Sequence, residues 1–118
     1  MQHWKLFEIP TPDGARSPVV LHSQDGESRV VLITLEPGQK LGDHEVKEAA
    51  LLLVVSGQAR VEAGGDVVDA VAGDLLRFDP AERRTVSSEL GVRILLMLSP
   101  WPGVGHYHGD ERAGVTAS

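Results

Sequence analysis

Hydrophobic positions along this chain gather into short runs at residues 19–21, 30–35, 51–55, 59–63, 67–71, 75–78 and 92–98, each rich in β-branched residues or leucine. Turn chemistry separates them: Pro37-Gly38, Ser56-Gly57, Gly64-Gly65, Ala72-Gly73-Asp74, Asp79-Pro80 and Glu89-Leu90-Gly91. No stretch carries the period of an amphipathic helix of ordinary length. Short strands at this spacing predict an all-β antiparallel sandwich or barrel.

The runs differ in how many faces they hide. In QARVEAGGDVVDAV, Ala59, Val61 and Ala63 alternate with Gln58, Arg60 and Glu62, which predicts a hairpin turning at Gly64-Gly65 with one wet face. VVLITL, LLLVV and ILLML do not alternate, so both faces of those strands are expected to leave water, one into the barrel and one against another sheet or subunit. Closing a barrel removes strand edges but does not cover outward apolar faces. A homodimer packed through sheets or N-terminal strands would cover them; the alternative is a monomeric sandwich whose second sheet does so. The chain is expected to form a single domain over 1–118. Its barrel core lies at about 19–100, with an N-terminal strand region over 1–18 carrying His3, Trp4 and Phe7, and an irregular tail over 101–118 in which Trp101 is held between two prolines.

Composition narrows the chemistry. At 118 residues and 12.7 kDa the chain suits one domain. The absence of cysteine excludes disulfides, thiolate metal sites and cysteine nucleophiles. Seventeen acidic against eleven basic side chains give a formal charge of −6, which argues against a nucleic-acid partner. The opening MQHWKLFEIP has no signal-peptide pattern and the longest apolar stretch, 49–55, is too short to span a bilayer, so no membrane association and a cytoplasmic location are expected. There is no phosphate-binding glycine loop followed by lysine and no Gly-x-Ser-x-Gly elbow. Asp66 and Asp69 fall on opposite strand faces and make no glycosidase dyad.

The stretch from Gly38 to Gly57 resembles the first motif of the cupin family, in which a glycine is followed by five residues, a histidine, one residue, a second histidine, three or four residues, a glutamate, six residues and a glycine. Here Gly38, His44 and Gly57 keep that spacing, while Val46 stands in the second histidine place and Ala50 in the glutamate place. Residues 65–84, with DAVAGDLLRFDPAERRTV, resemble the second motif, and the place of its last metal histidine reads Arg84. The resemblance spans roughly 19–100 and implies a cupin-type double-stranded β-helix, a jelly-roll barrel. It does not carry the family's metal chemistry. A divalent ion needs three or four good donors, hydrocarbon at Val46 and Ala50 offers none, and a guanidinium has no lone pair to give.

No metal or other cofactor is therefore expected. In the cupin register Arg84 points into the barrel beside His44 and Arg83 points away, pairing a permanent cation with a titratable imidazole in a site suited to a carboxylate or phosphate. Against this stands a surface salt bridge from Arg84 to Glu82, Glu89 or Asp43. His44 is the candidate catalytic group, and His44, Arg84 and Glu48 are the candidate ligand contacts. Glu48 shares the parity of His44, although a solvated loop carboxylate explains it too, and residues 43–47 read as a charged loop at the barrel mouth. His106 and His108, with Asp110 or Glu111, form a second conceivable cluster in the tail. The leading expectation is a cupin-like protein binding a small, anionic molecule in its barrel without a conventional metal centre. The alternative is a metal-dependent cupin oxygenase or isomerase using His44 and non-standard donors.

Overall fold

The structure is a computed structural model that describes residues 1–11, 17–44 and 49–101. After a single 3-10 turn at Leu6–Glu8, the strands are β1 (Ser17–Gln24), β2 (Glu27–Leu35), β3 (Lys40–His44), β4 (Ala49–Ala63), β5 (Asp66–Val71), β6 (Leu75–Phe78), β7 (Arg84–Ser87) and β8 (Val92–Trp101). All pairings are antiparallel, in the order β1-β2-β8-β4-β7-β3, with β5 and β6 also bound to β4.

One long strand carries the architecture. The first half of β4 pairs with β8 and β6 in one sheet, and its second half pairs with β5 and β7 in the other. The Ser56-Gly57 signal, expected to be a turn, instead marks a corner inside a continuous strand, with the register shifting between Val54 and Ser56. Gly57 has φ 86°, and a Cβ there would lie 2.3 Å from the Gly91 carbonyl oxygen. The neighbouring Gln58 N–H donates to that same oxygen at 3.3 Å. Ser88 ties the corner down: its hydroxyl donates to the Gln58 carbonyl at 2.6 Å and accepts from the Gly91 N–H at 2.8 Å.

The inner faces of the two sheets make the core. Cross-strand rows run Ile33–Ile94–Val54 and Val31–Leu96–Leu52–Leu76 in the first sheet, facing Leu41, Val61, Val86, Ala59 and Ala70 in the second. A five-strand row on the outer face, Val19–Leu32–Leu95–Leu53–Leu75, is also apolar. Leu32 in that row is buried while Leu75 is exposed, so this face is covered only in part.

Four sequence expectations are corrected. Residues 1–11 contain no strand. They lie as a strap tied to the outer face by Arg93, whose guanidinium donates to the Leu6 carbonyl (2.8 Å) and to the hydroxyls of Thr11 (2.7 Å) and Thr34 (3.3 Å). The alternation of His3, Trp4 and Phe7 is imperfect, and two bonds from one arginine, to Leu6 and Thr11, hold the segment without a sheet ladder. Asp43 and His44 belong to β3 rather than to a loop, and β7 was not expected as a strand at all. Both are short and mostly polar, and their pairing with each other, Lys40 with Ser87 and Leu41 with Val86, supplies what their composition lacks. Trp101, assigned to the irregular tail, is the last residue of β8.

The turn from β6 to β7 carries the chain from one sheet to the other. Glu82 N–H donates to the Asp79 carbonyl at 3.1 Å, the Glu82 carboxylate accepts from Asp79 N–H at 3.0 Å, and Pro80 presets the first corner. Ala81 then takes φ 64°, a left-handed conformation that costs a residue with a Cβ about 1–2 kcal/mol.

Two substitutions test this account. Gly57→Ala is expected to lower unfolding stability by about 1–3 kcal/mol more than Gly38→Ala, because overpacking adds to the cost of a left-handed alanine. Gly38 has the same φ of 86° with nothing within 4 Å of a Cβ. Urea midpoints of the two variants give the comparison, and equal losses would refute the close approach at the corner. Ala81→Gly is expected to raise stability by about 0.5–1 kcal/mol, as relief of strain exceeds the entropy that glycine adds to the unfolded chain. An unchanged or lower thermal midpoint would count against the strained turn.

Candidate functional site

Phe78 ends β6 in one sheet and Arg84 begins β7 in the other, so the connecting turn brings the two side chains together across the barrel interior. The Arg84 guanidinium carbon sits 4.8 Å from the centroid of the Phe78 ring, and Arg84 is only 3% exposed. Its position is not that of a surface salt bridge. In register beside it are Ala63 on β4 and His44, the last residue of β3. Phe78 in turn faces Ala50, which is 1% exposed.

The electrostatics of this corner are unbalanced. Among the described residues Nη2 of Arg84 has no hydrogen-bond partner. Burial pushes the guanidinium below its usual range, and the Glu82 carboxylate pulls it back in part; it still carries its charge at neutral pH. A desolvated cation–π contact is worth about 2 kcal/mol, whereas an unpaired buried ion costs several. Phe78 alone does not offset the burial, and an anion against the free edge would.

A cleft of about 500 Å³ lies between the β4–β5 hairpin and the start of β7, with Glu62, Gly64, Gly65, Asp66, Arg83 and Arg84 among its lining residues. Arg83, just ahead of β7, is exposed, so the two adjacent arginines have opposite surroundings. Val46 and the candidate contact Glu48 lie outside the described residues, as do His106, His108, Asp110 and Glu111.

The residues in place do not fit a metal centre of the cupin kind. Ala50 is a buried methyl facing Phe78, and Arg84 puts a fixed positive charge where a ligand would stand, so that a divalent cation would meet repulsion in a medium that screens it poorly. Among the described residues there is also no cluster of three His, Asp or Glu able to hold an ion.

Phe78 was not foreseen as part of the site. An apolar residue before a turn reads as core, and only the crossing between sheets reveals that its ring faces a cation. The Asp79-Pro80 turn was the available signal, since it fixes how far Phe78 and Arg84 can separate.

In sequence the chain matches no family model and no curated protein. Its structure is similar to an RmlC-like cupin protein from Desulfovibrio desulfuricans, with TM-score 0.72, 19% identity, and coverage of 85% of this chain and 96% of that one. An uncharacterised conserved protein with a double-stranded β-helix domain from Klebsiella pneumoniae gives TM-score 0.72 at 21% identity, covering 85% and 90%. A cupin superfamily protein from Desulfitobacterium hafniense gives 0.71 at 16%, covering 79% and 84%. Likeness at these identities speaks to architecture, and it agrees with the strand order and the two-sheet role of β4: this chain has the cupin fold, a double-stranded β-helix.

Proposed function

We propose that this protein binds a small anionic molecule inside its barrel, gripping it with Arg84 and without a conventional metal centre. The observation that carries the reading is the buried Arg84 guanidinium, stacked on Phe78 with Nη2 unpaired among the described residues. A cation retained at a place that hydrocarbon would fill more favourably needs a reason outside folding, and anion recognition supplies one. His44, in register with Arg84, is the titratable group proposed to share the ligand. The same reading includes a homodimer, in which a second copy covers the exposed end of the outer apolar row at Leu75 (59% exposed) and the neighbouring Leu51 (37%).

Replacing Arg84 separates stability from binding. Arg84→Met is expected to raise unfolding stability by about 1–4 kcal/mol, because a hydrocarbon of similar length has no desolvation cost. It is also expected to abolish the stabilisation that small organic anions give the untagged wild-type protein in thermal unfolding, a stabilisation that should persist with a chelator present. A variant that is less stable yet still anion-stabilised would refute the role given to Arg84. Sedimentation equilibrium of the wild type is expected to return twice the 12.7 kDa chain mass, and Leu75→Glu to return the single chain. A wild-type monomer at micromolar concentration would refute the dimer.

A further inference from the structure

Resting on the proposed anion site, we infer that Glu82 is its built-in competitor, a carboxylate held beside Arg84 that favours the fold without ligand and weakens the grip on an incoming anion. The β6–β7 turn fixes this residue through side chain and backbone. Its Oε1 accepts the Asp79 N–H at 3.0 Å, while its own N–H donates to the Asp79 carbonyl at 3.1 Å. Its Oε2 reaches the β4–β5 hairpin, where a Cβ on Gly64 would lie 3.1 Å from it. Gly64 directly follows Ala63, the register partner of Arg84, so the carboxylate is brought toward the guanidinium from the side of the turn.

This arrangement differs from an ordinary ion pair. Nη2 of Arg84 is buried and bonded to no described residue, so Glu82 lends its field without saturating the guanidinium. Glu82 is half-buried, which leaves its charge less screened than that of a surface carboxylate. An anion that bonds Nη2 thus enters the field of a carboxylate already tied to the turn. One charge acts twice: its attraction for Arg84 favours folding, and its repulsion of the ligand opposes binding. Other charged groups near Arg84 act differently. Arg83 is a cation, exposed and with an interaction of its own, and His44, in register on β3, carries no negative charge. Glu62 is the register partner of Thr85, which puts it on the opposite face of the sheet from Arg84, and it pairs with Arg60 at 3.0 Å. Asp66, the register partner of Ala63 on β5, shares the Arg84 face but is exposed, so water screens it.

Thermal unfolding of the untagged chain in graded sodium acetate or sodium phosphate, at constant ionic strength, tests the competition. Stabilisation is counted as the excess over Arg84→Met, which removes the general effect of salt. Glu82→Gln keeps an oxygen for the Asp79 N–H and removes only the charge. Without added anion it is expected to unfold at a lower temperature than the wild type, yet to bind the better probe with an apparent Kd at least about five-fold lower. A merely structural glutamate would not trade stability for affinity in this way. Glu89→Gln, which removes the same charge beyond the far end of β7, is expected to change the affinity by less than about two-fold. In the Arg84→Met background Glu82→Gln should cost much less stability than in the wild type, a comparison that stands even if the single variant fails to fold. Unchanged or weaker anion binding by Glu82→Gln overturns the inference while leaving the anion site standing, as does equal tightening in Glu89→Gln or an equal stability cost in both backgrounds. If neither probe stabilises the wild type or Glu82→Gln, both readings fall together.

Discussion

The bend of β4 at Gly57 is the constraint on which the rest of this structure depends. A single strand serves two sheets only if its backbone turns a corner without breaking its ladders, and here the corner is made where Gly57 lies against the Gly91 carbonyl with no room for a side chain. Because β4 is shared, residues at its two ends face the same interior. Ala50, near one end, is opposite Phe78, and Ala63, at the other, is opposite Arg84. The site is thus a product of closure, drawing one wall from each sheet.

Closure also sets the energetics of the cation. On an open sheet Arg84 would be solvated and its charge would matter little. Inside the roll it loses most of its water, gains an aromatic face, and keeps an edge without a partner among the described residues. The Glu82 carboxylate answers the charge only in part, and it is also committed to closing the turn through Asp79 N–H. The turn that delivers Arg84 carries its own strain at Ala81, so two unfavourable features sit within four residues of each other. Local strain and buried charge tend to collect where a fold serves recognition rather than stability.

The outer face follows a different logic. Its apolar row crosses five strands, yet Leu32 within it is almost fully buried while Leu75 is open to water. The strap over residues 1–11 lies against the other end of the same face, fastened by Arg93 in register with Thr34. One arginine is thus used inside the barrel, where hydrogen-bond partners are scarce, and another outside, where a backbone carbonyl and two hydroxyls satisfy it. Polar satisfaction, not residue type, distinguishes a structural arginine from a candidate recognition residue.

Strand content, the β4–β5 hairpin and the cupin spacing were legible from the letters, because alternation, glycine pairs and motif distances are local properties. So was the loss of metal donors at Val46, Ala50 and Arg84, since ligand chemistry depends on residue identity. The letters also offered an inward Arg84, should the cupin register hold, but did not choose it over a surface salt bridge. Tertiary structure decided what local pattern does not contain: that Ser56-Gly57 is a corner and not a turn, that the polar segments at β3 and β7 pair as strands, and that residues 1–11 form a strap. It also placed Phe78 beneath Arg84. Each of these rests on contacts between residues distant in the chain or carried across two sheets, where burial and hydrogen-bond satisfaction, rather than local propensity, select the conformation.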